Sequence, residues 1–194
     1  MRSFFLFTAS ALVLAGCNSA DTSDNQVGTN AISANSASEM ADRGVMADPV
    51  ATPTDASGYL AKASAGDMFE IESSQALLEK SKDAKLRDFA QMMVKAHQQS
   101  TAKVKAAAAE AKLTVASPSL APDQQMMLDE IKAASADAID AVYIKDQRIA
   151  HNAALAVHEG YASTGDTPAL KKSAAQIVPV VKEHIAHLEK LPGK

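Results

Sequence analysis

From residue 58 onward, apolar side chains return every three or four positions, the spacing of one face of an α-helix, and no stretch alternates with the period of two that marks a strand. The pattern predicts a first helix over about 58–80 and a turn at Ser81-Lys82-Asp83. A second helix over about 84–112 includes the strongly helix-forming run Lys105–Lys112. Pro118 and Pro122 break the period and predict a loop over 114–122. A third helix follows to about Glu159, bent or interrupted near Ala133–Ala138 and closed by Gly160 and the Ser163–Asp166 turn. Thr167 as cap with Pro168 at the first helical position opens a fourth helix to about Leu191, with a kink expected at Pro179. Four long helices with short connections predict an all-α, antiparallel four-helix bundle over residues 58–194.

The seams of these helices carry the chemistry. The first helix has a stripe of Ala61, Ala65, Met68, Glu72 and Ala76, and the second one of Leu86, Phe89, Met93, His97, Val104 and Ala108. The third has two adjacent lines, one holding Ile139, Val142, Tyr143, Ala150 and Val157, the other Ile144, Gln147, His151, Leu155 and His158. The fourth has Leu170, Ala174, Ile177, Val181, His184, Leu188 and Leu191. Each helix therefore offers one polar side chain to the core: Glu72, His97, His151 and His184. A carboxylate with three imidazoles inside a bundle suits iron, manganese or zinc. The alternative is that the histidines satisfy one another or a backbone carbonyl and that Glu72 rotates to the edge of its stripe. Glu183 and His187 make a secondary pair beside His184, whereas His158 and Glu159 are expected to face solvent. Met68, Met92, Met93, Met126 and Met127 follow the helical period and are expected to fill the core.

The first 57 residues read differently. Met1-Arg2, an apolar run to Ala15 and the small residues before Cys17 describe a signal peptide over residues 1–16, too short to span a bilayer. Leu14-Ala15-Gly16-Cys17 resembles the lipobox of bacterial lipoproteins, which implies acylation at Cys17 and attachment to a membrane. Asn18 stands where an Asp resembles an inner-membrane retention signal, so the expected location is the periplasmic face of the outer membrane. Residues 17–57 are rich in Ser, Thr, Asn, Ala and Asp, with six acids against one base, and predict a flexible acidic tether. The remainder is balanced, with 17 acids and 17 bases, so the acidity belongs to the tether, and a net charge of −4 argues against nucleic acid as a partner. A single cysteine excludes an internal disulfide and any zinc site of several thiolates.

Four stretches, taken in order, resemble a known family. They are Gly66–Glu72 (GDMFEIE), Phe89–His97 (FAQMMVKAH), Tyr143 with Gln147 and His151, and Val178–His184 (VPVVKEH), and the family is domain of unknown function 4142. The resemblance implies an exported bacterial protein with a ferritin-like bundle and transfers Glu72, His97, His151 and His184 as motif residues; it implies no particular activity. Ala96 stands where the family usually has an acid before the histidine. Ferritin-like proteins hold two metals through Glu-x-x-His pairs, and this chain has none, which leaves at most a mononuclear or altered site. No nucleophile–base arrangement or phosphate loop stands out. The sequence thus reads as a binding or structural protein of the envelope or its stress response rather than an enzyme, with a metal-binding protein or an interaction scaffold as alternatives.

Overall fold

A computed structural model describes residues 52–191. The expected signal peptide, Cys17 with its expected acylation and most of the expected tether lie outside the described residues. Among the described residues the protein is all-α, a bundle of five helices without strands: α1 (Ala56–Lys80), α2 (Ala84–Glu110), α3 (Pro122–Ala133), α4 (Ile139–Thr164) and α5 (Pro168–Leu188). None of these helices is long and apolar enough to cross a membrane.

The starts of the helices follow local chemistry. Asp55 accepts the Gly58 N–H at 2.8 Å and Asp83 accepts the Leu86 N–H at 3.0 Å, so a short acid caps each of the first two helices. Pro122 occupies the first turn of α3, where its missing N–H costs nothing. The expected third helix is two helices: Ser135 O accepts the N–H groups of Ala138 and Ile139 in a turn that separates α3 from α4. At the other end α4 runs through Gly160 and stops at Thr164, where the Gly165 N–H bonds Tyr161 O.

The segment before α1 belongs to the fold, which moves the domain start ahead of residue 58. Thr54 O accepts the Asp166 N–H at 3.0 Å, and Asp166 Oδ2 accepts the Ala56 N–H at 3.3 Å. Thr167 does not cap α5 with its side chain; its hydroxyl donates to Asp166 instead. α5 runs unbroken through Pro179, which is exposed, so water can satisfy the carbonyl that its missing N–H leaves free.

Lys112 is the one non-glycine residue with positive φ among those described, at 58°. It follows α2, where the Leu113 N–H bonds Ala108 O at 2.8 Å and the Lys112 N–H bonds Ala109 O at 3.0 Å, closing a left-handed helix cap. An L-residue there costs roughly 1–2 kcal/mol, partly offset by glycine's greater freedom when unfolded. Lys112→Gly is therefore expected to raise unfolding stability by about 1 kcal/mol, measured by urea denaturation.

α1 packs on α2 and α4, and α5 packs on α4 and α2, so the four long helices close a ring; α3 lies against α1 and α4. Two apolar clusters fill the ring. One gathers Phe69, Leu77, Phe89, Met93, Tyr143 and Leu188, and the other Tyr59, Val104, Val157, Tyr161, Leu170 and Ile177. Of the five methionines expected in the core only Met93 is fully buried. Met126 is 67% exposed and Met92 36%, because Met92 lies one position before buried Met93 and Met126 two before buried Leu128.

Candidate functional site

Between the two apolar clusters each long helix carries buried polar side chains. α2 passes from Met93 of one cluster to Val104 of the other, with His97 between. α4 passes from Ile144 to Val157 with His151 between, and α5 from Val181 to Leu188 with His184 between. The clusters occur in opposite order along α1 and α2, and again along α4 and α5, and this reversal lets residues from distant parts of the chain meet in one layer.

The three histidines meet. Each offers one ring nitrogen, and these atoms all lie within 4.8 Å of one another. The ring centroids are 5.4–5.8 Å apart, and His151 Nε2 lies 3.4 Å from His184 Nδ1. The rings are held from behind. Asp67 Oδ1 lies 2.9 Å from His97 Nδ1, and the other oxygen of Asp67 accepts the Thr101 hydroxyl at 2.9 Å. His151 Nδ1 lies 2.9 Å from the Gln147 carbonyl, with Glu70 Oε1 at 3.3 Å. A carbonyl accepts only, so Nδ1 of neutral His151 carries the proton and its Nε2 presents a lone pair to the cluster. The carboxylate beside His97 fixes the same tautomer there, and His97 Nε2 is buried with no hydrogen-bond partner.

Glu72 is not part of this site. It pairs with Lys132 at 3.2 Å on the surface of α1 and α3. The acids that α1 turns inward are Asp67 and Glu70, both buried. Glu70 and Glu72 are two residues apart, about 200° around a helix, so a stripe drawn through one excludes the other. The line Ala63, Asp67, Glu70, Ser74, Leu77 has helical spacing in the sequence, but its polar members conceal it from a hydrophobic pattern. His187 and Glu183 are exposed, and His187 stacks edge-on against Phe89 with centroids 5.1 Å apart. His158, expected in solvent, is buried, with Nδ1 3.1 Å from the Tyr59 hydroxyl. Tyr59 in turn stacks on Tyr161 with centroids 4.1 Å apart. His158 lies one residue before the helix end expected at Glu159, but α4 continues five residues further, to Thr164, and keeps this position packed.

Burial sets the charge state. It lowers His151 to about 4, against the opposing pull of the Gln147 carbonyl, and lowers His158 to about 4. His184 falls to about 3, by burial first and then by the nearby imidazoles of His97, His151 and His187. Burial pushes Glu70 up to about 7, against the attraction of His97 and a bond from Gln147. His151 and His184 are therefore neutral at physiological pH, and the 3.3 Å approach of His151 to Glu70 is not an ion pair between two full charges.

The fold and this layer define an all-α bundle with three neutral-capable histidines gathered in its interior. The family described as domain of unknown function (DUF4142) matches residues 41–191, and the chain belongs to that family. No curated protein matches the chain. A solved structure described as a DUF305 fragment from Deinococcus radiodurans is similar in fold. Its TM-score is 0.60 at 14% identity, over 71% of this chain and 94% of that one.

Proposed function

We propose that the domain is a metal-binding protein of the bacterial cell envelope, holding one divalent transition metal on His97, His151 and His184. The observation that carries this reading is the gathering of three imidazoles in a buried layer, two of their facing nitrogens 3.4 Å apart. Two imidazole nitrogens on one tetrahedral zinc, each about 2.0–2.1 Å from it, are separated by about 3.3–3.4 Å. His97 has to close in by side-chain rotation, and its partnerless Nε2 is the atom free to do so. Asp67 behind His97 and the Gln147 carbonyl behind His151 are the outer partners that orient metal-bound histidines. An all-nitrogen set favours zinc or iron over manganese, whose preference is for oxygen.

On this reading the four long helices run antiparallel, in keeping with the alternating order of the apolar clusters, and the domain hangs from a membrane by an acylated Cys17. The absence of a Glu-x-x-His pair supports a mononuclear centre over a ferritin-type pair of metals. The test is elemental analysis of the chain purified without a metal-binding tag and dialysed against zinc. One equivalent is expected, whereas a metal-free protein with unchanged melting temperature overturns the reading. Asp67→Asn, which replaces the charged partner of His97 by a neutral one, is expected to weaken zinc binding about 10–100-fold by competition against a chromophoric chelator.

A further inference from the structure

The histidine layer opens onto a cavity of about 350 Å³, with His97 and His184 in its wall. That volume lies at the small end of ligand sites, which run from about 300 to 1,000 Å³. The rest of the wall is mostly apolar, including Phe69, Ala153, Val157, Ile177 and Val181. Three protein nitrogens leave a tetrahedral ion one position short, the arrangement of zinc sites that exchange water or substrate. The layer itself does not fill that position. Asp67 and Glu70 also line the cavity, but they lie on the Nδ1 sides of His97 and His151, away from the nitrogens that face one another. His158 also lines the cavity, but its Nδ1 is engaged by the Tyr59 hydroxyl.

We propose, building on the metal-binding reading, that the centre keeps one coordination position open toward this cavity, and that the position takes a small organic ligand with one donor atom and an apolar body. The donor head binds the metal between His97 and His184. The body lies along Ala153, Val157 and Ile177, where burying its surface contributes affinity that a bare donor lacks.

The experiment uses the full chain loaded with cobalt(II), whose visible absorption reports its coordination, titrated with imidazole and with 4-phenylimidazole. The expected result is that both ligands shift the cobalt bands and that 4-phenylimidazole binds at least tenfold more tightly. Ala153→Leu, which fills the cavity from α4, is expected to remove that preference while one equivalent of cobalt is retained. Ala65→Leu fills it from α1 and serves if the first variant folds poorly. Stoichiometric cobalt whose bands neither ligand moves overturns the open position and leaves the metal site standing, and equal affinity for the two ligands overturns the role of the cavity. A chain that takes up no cobalt removes both this inference and the reading beneath it.

Discussion

His184→Ala is expected to abolish stoichiometric zinc uptake and, with it, the rise in melting temperature that zinc produces in the parent chain. A ligand that binds only the folded state at a free concentration about a hundred times its Kd stabilises by about 2.7 kcal/mol. For a domain of this size each kcal/mol corresponds to roughly 2–4 °C, so the metal-dependent shift is about 5–10 °C in the parent and near zero in the variant. The choice of residue matters. His97→Ala leaves buried Asp67 with only the Thr101 hydroxyl and endangers the fold, whereas His184 has its one close polar contact with His151. His187→Ala, three residues on at an exposed position, is the matched control and is expected to keep both the metal and the shift. Differential scanning calorimetry of the three chains with zinc and with chelator checks this. An undiminished shift in His184→Ala locates the metal elsewhere.

Acidification is expected to destabilise the chelator-treated protein steeply between about pH 6.5 and 5. His151, His158 and His184 have folded values of about 4, 4 and 3 against an ordinary 6.5, so across this window they are charged when unfolded and neutral when folded. A lowered base contributes stability that is present above 6.5 and lost as the pH falls toward its folded value. Glu70 acts in the opposite sense: raised to about 7, it already holds its proton in the folded state and offsets about one of the three. Burial raises Asp146 as well, which works on the same side as Glu70. The unfolded chain thus binds about two more protons, and two protons correspond to a slope of about 2–3 kcal/mol per pH unit. Against a typical total of about 5–15 kcal/mol this is a large loss. Glu70→Gln is expected to remove the offset, steepening the slope by about 1 kcal/mol per unit while raising stability by about 2–3 kcal/mol at pH 8. Urea denaturation at pH 8, 7, 6 and 5 measures both effects, and a flat profile for the parent contradicts the neutral histidine layer.

Much of the fold is legible along the chain because helix starts and stops are local events. Asp55, Asp83 and Pro122 begin helices through contacts within a few residues of themselves. Every member of the lines expected for α2 and the last helix is buried, with Ala90, Ala107 and Ser173 beside them, since each helix has one clear apolar face and its histidine falls on it. The site was partly legible for the same reason: His97, His151 and His184 are each visible as a polar interruption of an apolar stripe. Less local features escaped. Asp166 and Tyr161 draw Thr54 and Ala56 into the fold across more than a hundred residues, and no pattern within either segment announces that contact.

What the sequence by itself determined is the helical content, the breaks near residues 81–83, 114–122, 133–138 and 163–166, and the inward placing of His97, His151 and His184 on α2, α4 and α5. These follow from propensity, capping and a period of 3.6, which act between near neighbours. Only the tertiary structure decided the rotation of α1. That helix carries alanines and large apolar residues on several sides, so its own pattern leaves more than one face available, and packing against α2 and α4 selects the one that buries Tyr59, Phe69 and Leu77. Selecting that face turns Asp67 and Glu70 in behind the histidines and leaves Glu72 outside with Lys132. The meeting of the three imidazoles was decided at the same level, because the register of one helix against another is set by how whole side chains interlock and not by any residue's immediate neighbours.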